Sequence, residues 1–173
     1  CARCHAHPYA KWTQEDYYRF AAYFARVSRD GDLVRTSERG EVADPKTGRD
    51  LLPKPLGAVA PALARAADRR QGLAEWLTAP DNPLPAQAFV NRVWKHLLGR
   101  GLVEPVDDLR PTNPPPNPAL WDALAADFAA GGFDLRRLIR TIVSSRTYQL
   151  SSRANDINRR DDRLFSRAYL KPL

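Results

Sequence analysis

Fifteen prolines punctuate this chain of 173 residues, and their positions decide which stretches can be helices. A proline inside a helix removes a hydrogen bond and collides with the preceding turn, whereas at the first helical position its missing amide costs nothing. Two stretches open on the same favourable pair, Asn82-Pro83 and Asn117-Pro118. Behind Pro83, the residues Phe89, Val90, Val93, Trp94, Leu97 and Leu98 recur at helical spacing until Gly99 or Gly101 stops the helix. Behind Pro118, Trp121, Leu124, Ala125 and Phe128 do the same up to Gly131-Gly132. Asp134 caps a third helix, in which Leu135, Leu138, Ile139, Ile142 and Val143 all fit the apolar template. Asp68 caps a shorter one burying Leu73, Trp76 and Leu77. These apolar faces have no obvious partner except one another, so the expected class is mainly α with a bundle-like second domain.

Upstream, Thr13-Gln14-Glu15-Asp16 reads as a helix start with acids in the first turn. The spacing of Tyr17, Phe20, Ala21, Phe24 and Val27 predicts a helix to about Ser28 with mostly core contacts. Asp30-Gly31-Asp32 breaks it, and Leu33–Thr36 with Glu41–Ala43 are expected to pair as a short hairpin. Between Leu51 and Pro61, three prolines without helical period mark an extended linker. The expected domains are therefore 1–62 and 63–173, with a polar loop over 151–162. Because the chain opens on Cys1 with no initiator Met, it is expected to be a piece of a longer protein.

The chemistry concentrates in Cys1-Ala2-Arg3-Cys4-His5-Ala6-His7, which holds the only two cysteines. A C-x-x-C-H register is that of covalent c-type haem attachment. One turn of chain brings two thiols to the two vinyl groups of a porphyrin, and the next residue supplies an imidazole to the iron. Cys1 and Cys4 are then the attachment sites and His5 the iron ligand. The chain has no Met, so a sixth ligand would have to come from elsewhere, and His96 is the candidate, although an edge histidine is usually a packing residue. Other readings stay open. A redox dithiol normally sits in a βαβ setting, and none follows. Zinc on Cys1, Cys4 and His5 or His7 would need a further ligand such as His96, because four ligands within seven residues crowd a tetrahedral ion. The thiols could also do neither.

The net charge of +7 comes mostly from arginines spread along the chain. With neither a reading motif nor basic–aromatic interleaving, no nucleic-acid partner is expected, and Arg136, Arg137 and Arg140 read as a solvated face. Glu104, Asp107 and Asp108 would suit a calcium or hydrolytic site, but salt-bridging and loop capping are the commoner uses of such acids. No apolar run approaches the roughly eighteen residues of a membrane span.

Cys1-Ala2-Arg3-Cys4-His5, with Gln14-Glu15-Asp16-Tyr17-Tyr18, resembles the C-terminal end of the planctomycete cytochrome c-like domain. Leu73–Thr78, Asp81-Asn82-Pro83, Asn91–His96, Gly99–Val103, Asp107-Asp108, Ile139–Ile142, Ser145–Ser151, Asn155-Asp156 and Leu164–Arg167 resemble the start of its partner, the planctomycete-specific domain of unknown function. The resemblance covers nearly the whole chain. It implies an exported, extracytoplasmic protein carrying haem c, an electron-transfer module with an unknown redox or protein partner. The other class of function is a non-redox interaction or hydrolase-accessory protein whose motif binds zinc or no metal. The chain departs from the family at Ala6-His7-Pro8, where Asp-His-Lys usually stands. A carboxylate that would orient the imidazole is thereby lost. The basic stretch usual after Arg167 is altered to Ala168-Tyr169-Leu170-Lys171.

Overall fold

The computed structural model describes residues 2–57 and 68–169. The chain divides into two compact units, Cys1–Ala79 and Pro80–Leu173. The domain boundary expected near residue 62 lies outside the described residues, as does Cys1. Among the described residues there are five helices and two small two-stranded sheets. The architecture is thus mixed, helices with small hairpins, and less purely helical than the bundle expected from periodicity.

In the first unit, α1 (Gln14–Ala21) begins at a reciprocal cap between Thr13 and Asp16. It ends seven residues before the Ser28 expected from spacing. The tight turn at Asp30-Gly31 is the reason: Gly31 takes φ 58° and folds β1 (Val27–Asp30) back on β2 (Leu33–Thr36). Val27 completes a helical spacing in sequence but pairs with Thr36 in space. The expected pairing of residues 33–36 with 41–43 is also replaced. Instead β3 (Val42–Ala43) pairs with β4 (Asp50–Leu51) across the Asp44–Gly48 turn.

An ion-pair cluster ties this unit together. Arg69 is 2 % exposed, and its Nη2 donates to Glu41 Oε1 and Oε2 at 2.8 and 2.5 Å. Arg26 reaches the same carboxylate at 2.8 Å. Burial alone would raise the Glu41 pKa, but the two guanidiniums hold it below the ordinary value. Arg69 immediately precedes α2 (Arg70–Leu77), on which Trp76 meets Phe20 edge-on. Asp68 accepts from the Arg70 amide, close to the capping role expected of it.

The second unit is helical in its first two thirds, with α3 (Pro83–Leu98), α4 (Pro118–Ala130) and α5 (Leu135–Val143) packed on one another. Asn117 and Asp134 cap their helices through side-chain acceptors as expected, while Asn82 occupies the cap position without such a bond. Gly99 ends α3 in the left-handed conformation, at φ 83°. The core is Ala86, Val90, Trp94, Leu98, Leu124, Phe128, Leu138 and Ile142, closed by Leu102 and Phe165 from outside the helices. Trp94 is 2 % exposed, whereas Trp121 is half-buried and donates through its indole to Gln87 O.

Trp94→Ala should lower the stability of the second unit by about 3–5 kcal/mol, read as a shift in its chemical-denaturation midpoint. Glu41→Ala strands a buried guanidinium. It should cost the first unit up to about 3–5 kcal/mol, less whatever water relieves through the carboxylate's exposed side. A double variant, Glu41→Ala with Arg69→Met, should recover much of that loss in the same measurement.

Candidate functional site

Residues 2–5 of the Cys-x-x-Cys-His motif form a turn that precedes α1 and is fastened to it. Gln14, the first residue of that helix, donates through Nε2 to Arg3 O at 2.9 Å and to Cys4 O at 3.4 Å. The helix start is itself rigid, because the Thr13 amide and hydroxyl donate to Asp16 Oδ2 while the Asp16 amide donates to Thr13 Oγ1. The Thr13 backbone N–H is the largest influence on Asp16 and holds its carboxyl below the ordinary range. His7 N donates to Trp12 O at 2.9 Å and closes the intervening loop. Cys4 and His5 are both exposed, at the mouth of the turn.

The two imidazoles are held in different ways. His5 Nδ1 lies 2.7 Å from Ala6 O. A carbonyl can only accept, so this nitrogen carries the proton, and Nε2 keeps its lone pair for a metal. His7 Nδ1 instead accepts from the Tyr9 amide at 3.2 Å, which places the proton of its neutral ring on Nε2. A backbone carbonyl therefore orients His5. Such a second partner fixes both tautomer and ring direction.

Two clefts adjoin the turn. One, of about 610 Å³, is lined by Cys4, His5, Thr13, Gln14, Tyr18 and Leu51 among others. The second, of about 260 Å³, is walled by Ala2, Trp12, Tyr17, Phe20, Ala21 and Leu56 and is almost wholly apolar. The aromatic stripe of α1, expected to be mainly core, is thus largely cleft wall. No residue of α1 is fully buried, and Tyr17 is 39 % exposed.

His96 lies exposed on α3, in the other unit. No group of three or more His, Cys, Asp or Glu that could hold a metal ion occurs among the described residues. The loop acids are engaged as ion-pair partners: Glu104 with Lys95, Asp107 with Arg92 and Asp108 with Arg110. What sequence reading missed is the role of Ala6, whose carbonyl orients His5; a backbone acceptor leaves no mark on residue identity.

Residues 69–173 match the family described as "PSD1: Protein of unknown function (DUF1553)". Residues 1–29 match "PSCyt2: Protein of unknown function (DUF1549)", so both matches are to planctomycete-type domain families. No curated protein and no solved structure matches the chain.

Thr13→Ala removes the hydroxyl but keeps the backbone N–H that dominates, so it should raise the Asp16 pKa only slightly and leave it below the ordinary carboxylate value. It should also cost about 1 kcal/mol of stability in the first unit. Carboxyl chemical shifts followed through an acid titration, together with a thermal melt, check both.

Proposed function

The chain belongs to the DUF1553 family of proteins of unknown function, and from that premise we propose that its N-terminal turn carries a c-type haem in an extracytoplasmic electron-transfer protein. Cys1 and Cys4 would each add S–H across a vinyl group, forming a C–S and a C–H bond at the expense of the double bond, with no leaving group. His5 would ligate the iron through Nε2. Bound there, the group would supply one-electron exchange.

The observation that carries this reading is the His5 ring, whose Nδ1–H is committed to Ala6 O so that Nε2 stays available. The chemistry of the surrounding residues fits as well. An apolar cleft walled by Trp12, Tyr17, Phe20 and Leu56 begins at Ala2, between the two cysteines. Aromatic walls of this kind keep water from a ring face and hold a large flat apolar group by contact area. The charged and polar side chains of the neighbouring cleft, Lys46, Thr13 and Gln14, suit the polar edge of the same group.

The full chain produced with haem-maturation machinery should show a Soret band and a peroxidase-stained band that survives denaturing electrophoresis. Cys1→Ala with Cys4→Ala should abolish the stained band, and His5→Ala should shift the spectrum of whatever haem remains attached. Protein that carries no haem under these conditions and retains stoichiometric zinc would overturn the proposal in favour of a non-redox role.

A further inference from the structure

Residues 99–113 contain no regular element among themselves, yet their backbone is heavily determined. Asn91, fully buried on α3, donates through Nδ2 to Val103 O and Val106 O and accepts from the Val103 amide, each at 2.9 Å. Gly101 N donates to Glu104 Oε1 at 2.7 Å. A Cβ on Gly101 would stand 2.6 Å from Val103 O, so no larger residue fits there without displacing backbone. Asn113 Nδ2 donates to Glu104 O and Asp108 O at 3.1 and 2.9 Å, which closes the far side of the loop.

A second segment is held as firmly. Asp161 accepts from the amides of Arg163, Leu164 and Ser166 at 2.9, 2.7 and 2.8 Å, and from the Ser166 hydroxyl. Burial works to raise its pKa, but these donors outweigh it and hold the carboxyl well below the ordinary range. Phe165 takes φ 55°, a left-handed conformation unfavourable for a bulky residue. Its ring offsets that cost by entering the core, 7 % exposed and edge-on to Trp94.

These two loops wall a cleft of about 240 Å³ that includes Arg100, Gly101, Glu104, Asn113, Pro116 and Arg163. Among the described residues, neither the Arg100 nor the Arg163 guanidinium has a hydrogen-bond or ion-pair partner. The one acid on the wall, Glu104, is occupied by the Gly101 amide and Lys95. Arg136 and Arg140 on α5 also lack such partners, but they stand on an exposed helix face, where solvent satisfies them. Arg163 is exposed as they are, but together with the half-buried Arg100 it lines one concave surface whose backbone cannot easily rearrange.

We infer that this cleft is a binding site for an oxyanion, the carboxylate, phosphate or sulfate group of a soluble ligand, gripped between Arg100 and Arg163. The planar fork of a guanidinium matches such groups with paired donors. The volume falls below the roughly 300–1,000 Å³ of pockets that enclose a whole drug-sized ligand. The cleft therefore takes an anionic end group. The rest of the ligand has room in a neighbouring cleft of about 370 Å³, which shares Arg100 and Glu104 and is also lined by Lys95, Arg167, Tyr169 and the carboxylates Asp161 and Asp162, so that the part lying there is not itself anionic.

The test is a titration of the full chain with sodium sulfate, and separately with sodium acetate, at ionic strength held constant by chloride. The readout is the Nε–H resonance of each arginine. Saturable shifts confined to Arg100 and Arg163 are expected with at least one anion. Arg100→Gln and Arg163→Gln should each weaken that binding about tenfold or more. Arg100→Lys should weaken it less than Arg100→Gln, and Arg140→Gln should leave it unchanged. A preference for sulfate assigns the site to tetrahedral groups and a preference for acetate to carboxylates. Shifts that fail to saturate, that chloride reproduces, or that Arg140→Gln reduces equally would overturn the inference.

Discussion

Asn91 is the polar group on which the second unit turns. It sits fully buried among Val90, Trp94 and Leu98 on one helix, in a position that periodicity alone would reserve for an apolar side chain. Its amide replaces the strand ladder that a loop lacks, satisfying backbone groups of Val103 and Val106 away from water. A typical hydrogen bond is worth only about 1 kcal/mol net, but each buried group left unpaired costs about 1–3 kcal/mol. The loop therefore has one good arrangement and many poor ones. That arrangement buries Leu102 and Val103 and leaves Arg100 and Glu104 on the surface beside them.

A similar logic governs the first unit, with charge in place of an amide. The pairing of Arg69 with Glu41 buries a guanidinium at the start of α2 against the chain between the two hairpins. The family match begins at Arg69, while the compact unit continues to Ala79. The segment 69–79 thus belongs by sequence to the DUF1553 match and by packing to residues 1–57. Trp76 against Phe20 makes the same connection through aromatic contact. Family boundaries follow residue identity, whereas packing follows the surface each side chain can bury.

The helices of the second unit were legible because the apolar period agreed with a capping side chain or a first-position proline at each of them. At 117–130 and 134–143, Asn117 and Asp134 bond the first-turn amides, and Leu124, Ala125, Phe128, Leu138 and Ile142 of the predicted stripes enter the core, while Leu135 and Ile139 stay exposed. Legibility failed at Val27, where an apolar residue satisfied a helical spacing and a strand equally well. The two-residue turn at Gly31 decided between them through pairing across four positions. The stripe of α1 failed differently. Spacing established that Tyr17, Phe20 and Ala21 share a face, but not whether another element would cover it.

Sequence alone determined the chemistry on offer: two cysteines and a histidine in one register, the capped helices, and Arg100 within the Gly99–Val103 stretch. These depend on residue type and local spacing, which a chain carries with it unfolded. Tertiary structure decided which of these groups are committed. It gave the His5 Nδ1 proton to Ala6 O, matched the loop acids to Lys95, Arg92 and Arg110, and left Arg100 and Arg163 facing a shared cleft. The physical reason is that hydrogen bonds and ion pairs form between groups brought together by burial. The partner of a given side chain is set by where the folded chain brings each group, from the adjacent residue for His5 to fifteen positions away for Arg92 and Asp107.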